Sequence, residues 1–217
     1  MSNINERKTS TNGLRVLSLC GGVETGLYAL QQLGIPVKEY HTYEILPEAI
    51  AVSQYHFPFV VHHGDLYEAD FEQFKEFDLL LCGSCCQSLS RIRIEDEQVN
   101  NGLKGKSSIF FKAIECLKAI QPKYFMFENV IPSREEDLNT MTECIGVDPL
   151  LIDSAIFGAQ SRERYYWTNI PLGELPEESP LVLKDVMENN VNEKYFYKKD
   201  FEIIDMKKRV CAELKVN

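Results

Sequence analysis

The chain has 217 residues, 44% of them hydrophobic, with 23 Lys and Arg against 33 Asp and Glu and a formal net charge of -10. That length supports one substantial core, and the charge excludes a protein that grips nucleic acid over its whole surface, because phosphate contact needs clustered Lys and Arg. No apolar run approaches the length of a membrane span and the polar start, MSNINERKTSTNG, has no signal-peptide core, so a soluble, cytoplasmic protein without membrane contact is expected.

Residues 1–13 read as a disordered N-terminus. Leu14 to Cys20 (LRVLSLC) is a short apolar run that stops at Gly21-Gly22, and Thr25 to Leu33 then carries helical apolar spacing: strand, glycine turn, helix. Val37 to Ile45 predicts a second strand, Pro47 opens a helix over Glu48 to His56, and Phe59 to His62 predicts a third strand leading to Gly64-Asp65. The fourth is Phe77 to Leu81, an apolar run that delivers Cys82-Gly83-Ser84-Cys85-Cys86. A polar loop, Arg91 to Lys106, precedes a helix over Ser107 to Ile120 closed by Pro122, and Tyr124 to Phe127 predicts a fifth strand ending at Glu128-Asn129-Val130. Leu150 to Ile156 and Tyr165 to Asn169 read as two further strands joined through GAQSRER. Beyond Pro171 the composition turns to Pro, Glu and Asn, and Ile203, Met206, Val210 and Leu214 share one face of a terminal amphipathic helix predicted over Phe201 to Val216.

The alternation of strand and helix predicts an α/β domain over residues 14–171, built on a mostly parallel sheet with helices on both faces and an antiparallel extension, followed by a tail over 172–217. In such sheets functional groups collect at the C-terminal ends of the strands. Cys20, Glu44, Asp65, the loop from Cys82 to Cys86, and Glu128 all fall there.

The turn CGGVETG is not G-x-G-x-x-G, yet its glycines permit close backbone approach and the helix behind it presents free amides, so it is suited either to packing or to a nucleotide-like ligand. Glu44, about 20 residues further on, stands where a ribose diol is held in a Rossmann-like site. Asp65 suits a turn, and equally an adenine amine. Cys82 and Cys85 form C-x-x-C, but a zinc site would need a second ligand pair of familiar spacing, which His62-His63 and the other cysteines do not supply. Seven cysteines, an odd number in an unexported chain, are expected to be reduced. If strand four lies beside strand one, Cys20 comes near this cluster. A thiol exposed at a strand end suits nucleophilic chemistry. Glu128, placed behind Phe125 and Phe127, would be desolvated and favour the neutral form that donates a proton. Arg162 and Arg164, alternating, would point the same way from a strand.

Taken in order, these residues resemble the cytosine-5 DNA methyltransferases, from about Arg15 to Pro171. The family's first motif corresponds to CGGVETG, its ribose-binding acid to Glu44 and its G-D pair to Gly64-Asp65. The catalytic motif, usually G-(G/S)-P-C-Q, reads Gly83-Ser84-Cys85-Cys86-Gln87, with Cys85 in place of proline. E-N-V is intact as Glu128-Asn129-Val130, and Q-x-R-x-R as Gln160 to Arg164. The resemblance implies a Rossmann-like class I methyltransferase fold, S-adenosylmethionine held by Cys20, Gly22, Thr25, Gly26, Glu44, Asp65, Leu66 and Gly83, and catalysis by Cys86, Glu128, Arg162 and Arg164, with no metal. It also implies double-stranded DNA as substrate and, because LVLKDVMENNVNEKYFY resembles only the beginning of the target-recognition region, a second chain that supplies recognition. Cys20 and Gly21 replace a phenylalanine and an Asp or Ser of the family's first motif, and Glu24 adds a charge to it. The alternative is a methyltransferase-like protein that binds a partner or the cofactor as a regulator without catalysis.

Overall fold

The computed structural model describes residues 12–84, 89, 102–104, 106–188, 201–206 and 209–214. Of residues 1–13, expected to be disordered, the first eleven lie outside that set. Strands β1 (Leu14–Leu19), β2 (Val37–Tyr43), β3 (Val61–His62), β4 (Leu79–Cys82), β5 (Tyr124–Asn129), β6 (Leu150–Asp153) and β7 (Glu163–Thr168) form one sheet in the order β3-β2-β1-β4-β5-β7-β6. The first five are parallel to their neighbours, and β7 runs antiparallel to β5. The α/β class, the parallel sheet and its antiparallel extension are therefore as the sequence predicts.

Helices α1 (Thr25–Gln32), α2 (Pro47–His56) and α3 (Ile109–Ile120) stand where the sequence puts them, α2 opening at Pro47. Between β3 and β4 the chain makes two 3-10 turns, Leu66–Glu68 and Glu72–Phe74, in place of the helix that a regular alternation implies. A fourth helix, α4 (Glu135–Ile145), was not predicted. Its first turn is acidic, which suits the helix dipole, and Gly146 at φ 84 ends it in the left-handed conformation. Leu138, Met141 and Ile145 give it an apolar stripe.

The period-2 alternation of the central strands divides the core between the two faces. Val16, Leu79 and Leu81 meet Leu27 of α1, Tyr40 and Phe57 on one face. Leu17, Leu19, Leu80, Cys82, Phe125 and Phe127 meet Phe110, Ala113 and Ile114 of α3, Met141 of α4 and Trp167 on the other. Full burial of each large side chain contributes about 1.5–3 kcal/mol.

The chain divides into two compact units, Met1–Leu150 with Tyr165–Pro171, and Leu151–Arg164 with Leu172–Asn217. Residues 151–164 thus group with the C-terminal part, not with the domain that the sequence expects to run unbroken to 171. A short helix, α5 (Leu183–Val186), follows. The terminal amphipathic helix is corrected: the segment forms a hairpin of β8 (Phe201–Met206) and β9 (Arg209–Leu214), paired from Phe201↔Leu214 to Met206↔Arg209. Ile203, Met206, Val210 and Leu214 happen to fall at helical spacing, but β-branched Ile203, Ile204 and Val210 favour strands, and the polar Lys207-Lys208 pair separates the two runs. Among the described residues no helix is long and apolar enough to cross a membrane.

Candidate functional site

The parallel order brings the C-terminal ends of β1, β2, β4 and β5 side by side, and the turn after β1 is the most constrained part of that edge. Cys20, Gly22 and Glu24 alternate in the left-handed region at φ 56, 60 and 64. Only Gly22 tolerates this without a side-chain penalty, and a β-carbon placed there would meet nothing within 4 Å. The turn is tied to β2 by Glu44, which is 8% exposed. Its Oε2 accepts from the Gly22 amide at 2.9 Å, and its Oε1 accepts from the Ile45 and Leu46 amides at 2.8 and 2.9 Å.

A carboxylate offers about four lone-pair positions, so Oε2 keeps one for a hydroxyl that enters beside Gly22. The open side of Gly22, this spare acceptor, and Gly64 at φ 82 with no atom near its missing side chain fit a nucleoside-bearing cofactor. Asp65 is exposed and caps the Leu66–Glu68 turn by accepting from the Tyr67 amide at 2.9 Å, which is its turn role. Leu66 is 2% exposed and buries its side chain in the core. Thr25 is exposed at the start of α1. Gly26 lies against the sheet, where a β-carbon would stand 2.7 Å from Leu81 Cδ1, so its smallness serves the packing of α1.

Gly83 ends β4 and joins the neighbouring strand ends. Its amide donates to the Leu19 carbonyl at 3.1 Å, and a β-carbon on it would lie 3.6 Å from the Cys20 carbonyl oxygen and 4.0 Å from Glu128 Oε2. Cys20, Gly83 and Glu128 therefore share one place. Glu128 is half-buried, but not behind Phe125 and Phe127: the pleat sends those rings to the α3 face and Glu128 to the opposite face with Tyr124 and Met126. The expected shielding by these rings is corrected on that ground. The predicted approach of Cys20 to the Cys82 end also follows from the β1–β4 pairing. Burial pushes the Cys82 thiol well up, with Cys20 and Cys116 adding to it, so Cys82 is held as a thiol. Cys85 and Cys86 lie outside the described residues.

Both ends of the segment that carries Cys86 are fastened by the connection from β5 into α4, which sequence reasoning overlooked. Asn129 Nδ2 donates to Ser84 Oγ at 2.9 Å, and the Ser133 amide donates to the carbonyl of the fully buried Leu89 at 2.9 Å. On the return side the buried Asp137 accepts from Arg134 at 2.8 and 3.0 Å and from the Leu103 amide at 3.4 Å. Gly102 sits at φ 54, a conformation that favours glycine, and a β-carbon there would displace the Arg134 guanidinium from Asp137. The one legible signal was Asn129 directly after Glu128.

Arg162 and Arg164 belong to the second unit. Arg162 precedes β7 and is exposed, with its amide donating to Asp153 Oδ1 at 2.7 Å, whereas Arg164 lies within β7 and is half-buried. Asp153 also accepts from the Ala155 amide at 3.0 Å and from Ser161 Oγ at 2.9 Å, so one carboxylate shapes the Gln160 to Arg164 segment from below.

The C-5 cytosine-specific DNA methylase family model matches residues 14–213. The orphan methyltransferase M.SPRI of Bacillus phage SPR is 33% identical over 169 residues, 70% of this chain and 37% of that protein. M.Rho11sI of Bacillus phage rho11s is 33% identical over 174 residues, 70% of this chain and 32% of that one. The type II methyltransferase M.NlaIV of Neisseria lactamica is 31% identical over 130 residues, 58% and 29% of the two. The chain spans about a third of the length of these curated relatives. Among solved structures, one described as a prophage-encoded DNA modification methyltransferase of E. coli shares the fold at a TM-score of 0.64 with 19% identity, over 90% of this chain and 62% of that one.

Proposed function

The chain belongs to the C-5 cytosine-specific DNA methylase family, and from that membership we propose that it forms the catalytic core of an enzyme that methylates carbon 5 of cytosine in DNA. The observation that carries the reading is the convergence of Cys20, Gly83 and Glu128 at one sheet edge, with the cysteine motif beginning at Gly83. S-adenosylmethionine, when bound, would supply the methyl group, the electron pair of the broken sulfur–carbon bond staying with its sulfur. Gly22, Glu44 and Asp65 would hold it, with Cys20, Thr25, Gly26, Leu66 and Gly83 completing the surroundings.

The cytosine is flipped out of the duplex. The Cys86 thiolate adds to carbon 6, and the electrons of the 5,6 double bond move to carbon 5, which takes the methyl group. A base then removes the carbon 5 proton, the double bond re-forms and the bond from carbon 6 to Cys86 Sγ breaks. Glu128, which stands beside Gly83 where the cysteine motif begins, holds the N3 and amino edge of the base. Arg164, helped by Arg162, favours the thiolate over the thiol, whose free pKa is about 8.5.

A second chain supplies target recognition in this reading, supported by the net charge of -10, which leaves little for general duplex contact. With DNA as substrate the place of action is the cytoplasm. The test is trapping on a duplex with 5-fluorocytosine at the target, with and without the product of the neighbouring gene. A covalent adduct that Cys86→Ser abolishes is expected; no adduct under any partner condition overturns the proposal.

A further inference from the structure

The turn between β1 and α1 contains a buried carboxyl that the reaction leaves unused. Glu24 is 0% exposed and adopts φ 64. Its Oε2 accepts from Tyr40 Oη at 2.8 Å, while Oε1 and the neighbouring Thr42 Oγ1 are buried without a well-formed hydrogen bond. Burial pushes the carboxyl up, opposed by the hydroxyls of Thr42, Tyr40 and Ser18. A buried acid in a left-handed residue is costly twice over, by desolvation and by backbone strain. Something in the turn must hold it there.

Gly21 explains the arrangement. Unlike Gly22 it is not at positive φ, so its backbone accepts any L-residue. Its side chain is excluded by Glu24 instead: a β-carbon on Gly21 would overlap both carboxyl oxygens, with Ser18 Oγ equally close. We infer that Glu24 is a positioning residue for the cofactor turn, its carboxyl filling from position 24 the space that a side chain at position 21 would take. The Glu24 amide donates to the Gly21 carbonyl at 3.0 Å, so filling that space closes the turn on itself and leaves the Gly22 amide aimed at Glu44. The two departures, a missing side chain at 21 and an added charge at 24, are then one feature.

The inference rests on reading this turn as the S-adenosylmethionine site, and its test separates the two. A double-mutant cycle in the 217-residue chain uses Gly21→Asp, Glu24→Ala and the pair together, with Glu24→Gln as the shape-preserving control. Without cofactor, Gly21→Asp alone lowers Tm, and adding Glu24→Ala recovers about 4 °C or more; strictly additive losses overturn the pairing. By calorimetry, Glu24→Ala weakens S-adenosylmethionine binding by ~10-fold, whereas the double variant and Glu24→Gln stay within ~3-fold of the unmodified chain. Recovery of Tm without recovery of affinity reduces the pair to a structural contact and overturns the positioning role. Failure of the unmodified chain to bind S-adenosylmethionine overturns the cofactor reading and the positioning role with it, while the Tm cycle still decides whether 21 and 24 are coupled.

Discussion

His41 and His63 show how a residue pair bordering the candidate cofactor site sets a pH limit on the protein. His41 Nδ1 and His63 Nε2 share a hydrogen bond at 2.8 Å, and the rings pack against Tyr43, Phe74 and Phe77. Burial lowers the pKa of both; for His41 the Glu39 carboxylate opposes this and Arg15 adds to it, and for His63 the neighbouring His41 and His62 add to it. A base whose pKa is depressed by folding leaves the unfolded chain holding more protons, so stability is complete above the ordinary imidazole value of about 6.5 and is lost as pH falls below it. Urea midpoints at pH 7.5 and 5.5 should therefore differ, with the lower value at pH 5.5, and the fall between them should shrink in His63→Phe. An unchanged slope in that variant would remove the pair from the account. Neither His41 nor His63 was singled out by the sequence as a pair, because β2–β3 pairing across 22 positions is what joins them.

At the scale of elements, the connection between β5 and α4 does more than link them. Asn129, Ser133 and Asp137 reach Ser84, Leu89 and Leu103, three points spread along the stretch between β4 and α3, and Arg134 holds Asp137 in place. Asp137→Ala leaves the Leu103 amide and the Arg134 guanidinium without this acceptor. With Arg134 itself partly exposed, the loss should be about 2 kcal/mol, below that of a fully buried pair, and read as a Tm fall of roughly 4–8 °C. If the fastening also serves the chemistry, adduct formation on 5-fluorocytosine DNA should slow in Asp137→Ala at temperatures where the variant is fully folded. Unchanged trapping would confine Asp137 to stability. The central strands, α1 and α3 were legible in the sequence from their apolar residues, and α2 from Pro47 at its first turn. Helix α4 was not, since EEDLNTMTECI reads as polar until Met141 and Ile145 are placed on one face. The hairpin β8–β9 was misread for the opposite reason: its apolar residues fit a helical period by coincidence, and only the partner strand distinguishes the two.

For the whole molecule, acidity and fold divide the labour. With a net charge of -10, the chain alone should bind duplex DNA no more tightly than ~10⁻⁴ M at physiological salt, the weak end of non-specific binding. Fluorescence anisotropy with a labelled duplex measures this, and nanomolar binding by the isolated chain would overturn the proposal that a second chain supplies the grip on DNA. The candidate site was legible to the extent that it follows strand ends: Cys20, Glu44, Asp65, Gly83 and Glu128 are all at that edge. What the sequence could not show is which way side chains leave a strand, hence the error over Phe125 and Phe127, and which glycine makes room for which neighbour, hence the reading of Glu24 as an intruder.

The position of β1 between β2 and β4 also bears on how the sheet closes. Val16 pairs with Leu79, yet β2 is joined to the other side of β1 much earlier in the sequence. β2 follows β1 closely in the chain, whereas the other edge of β1, with Val16, Leu17 and Leu19 beside it, finds its partner only in β4. Closure at β1–β4 is thus a long-range step of the kind that slows folding, and until it is made the bare edge of β1 is a template for pairing with other chains.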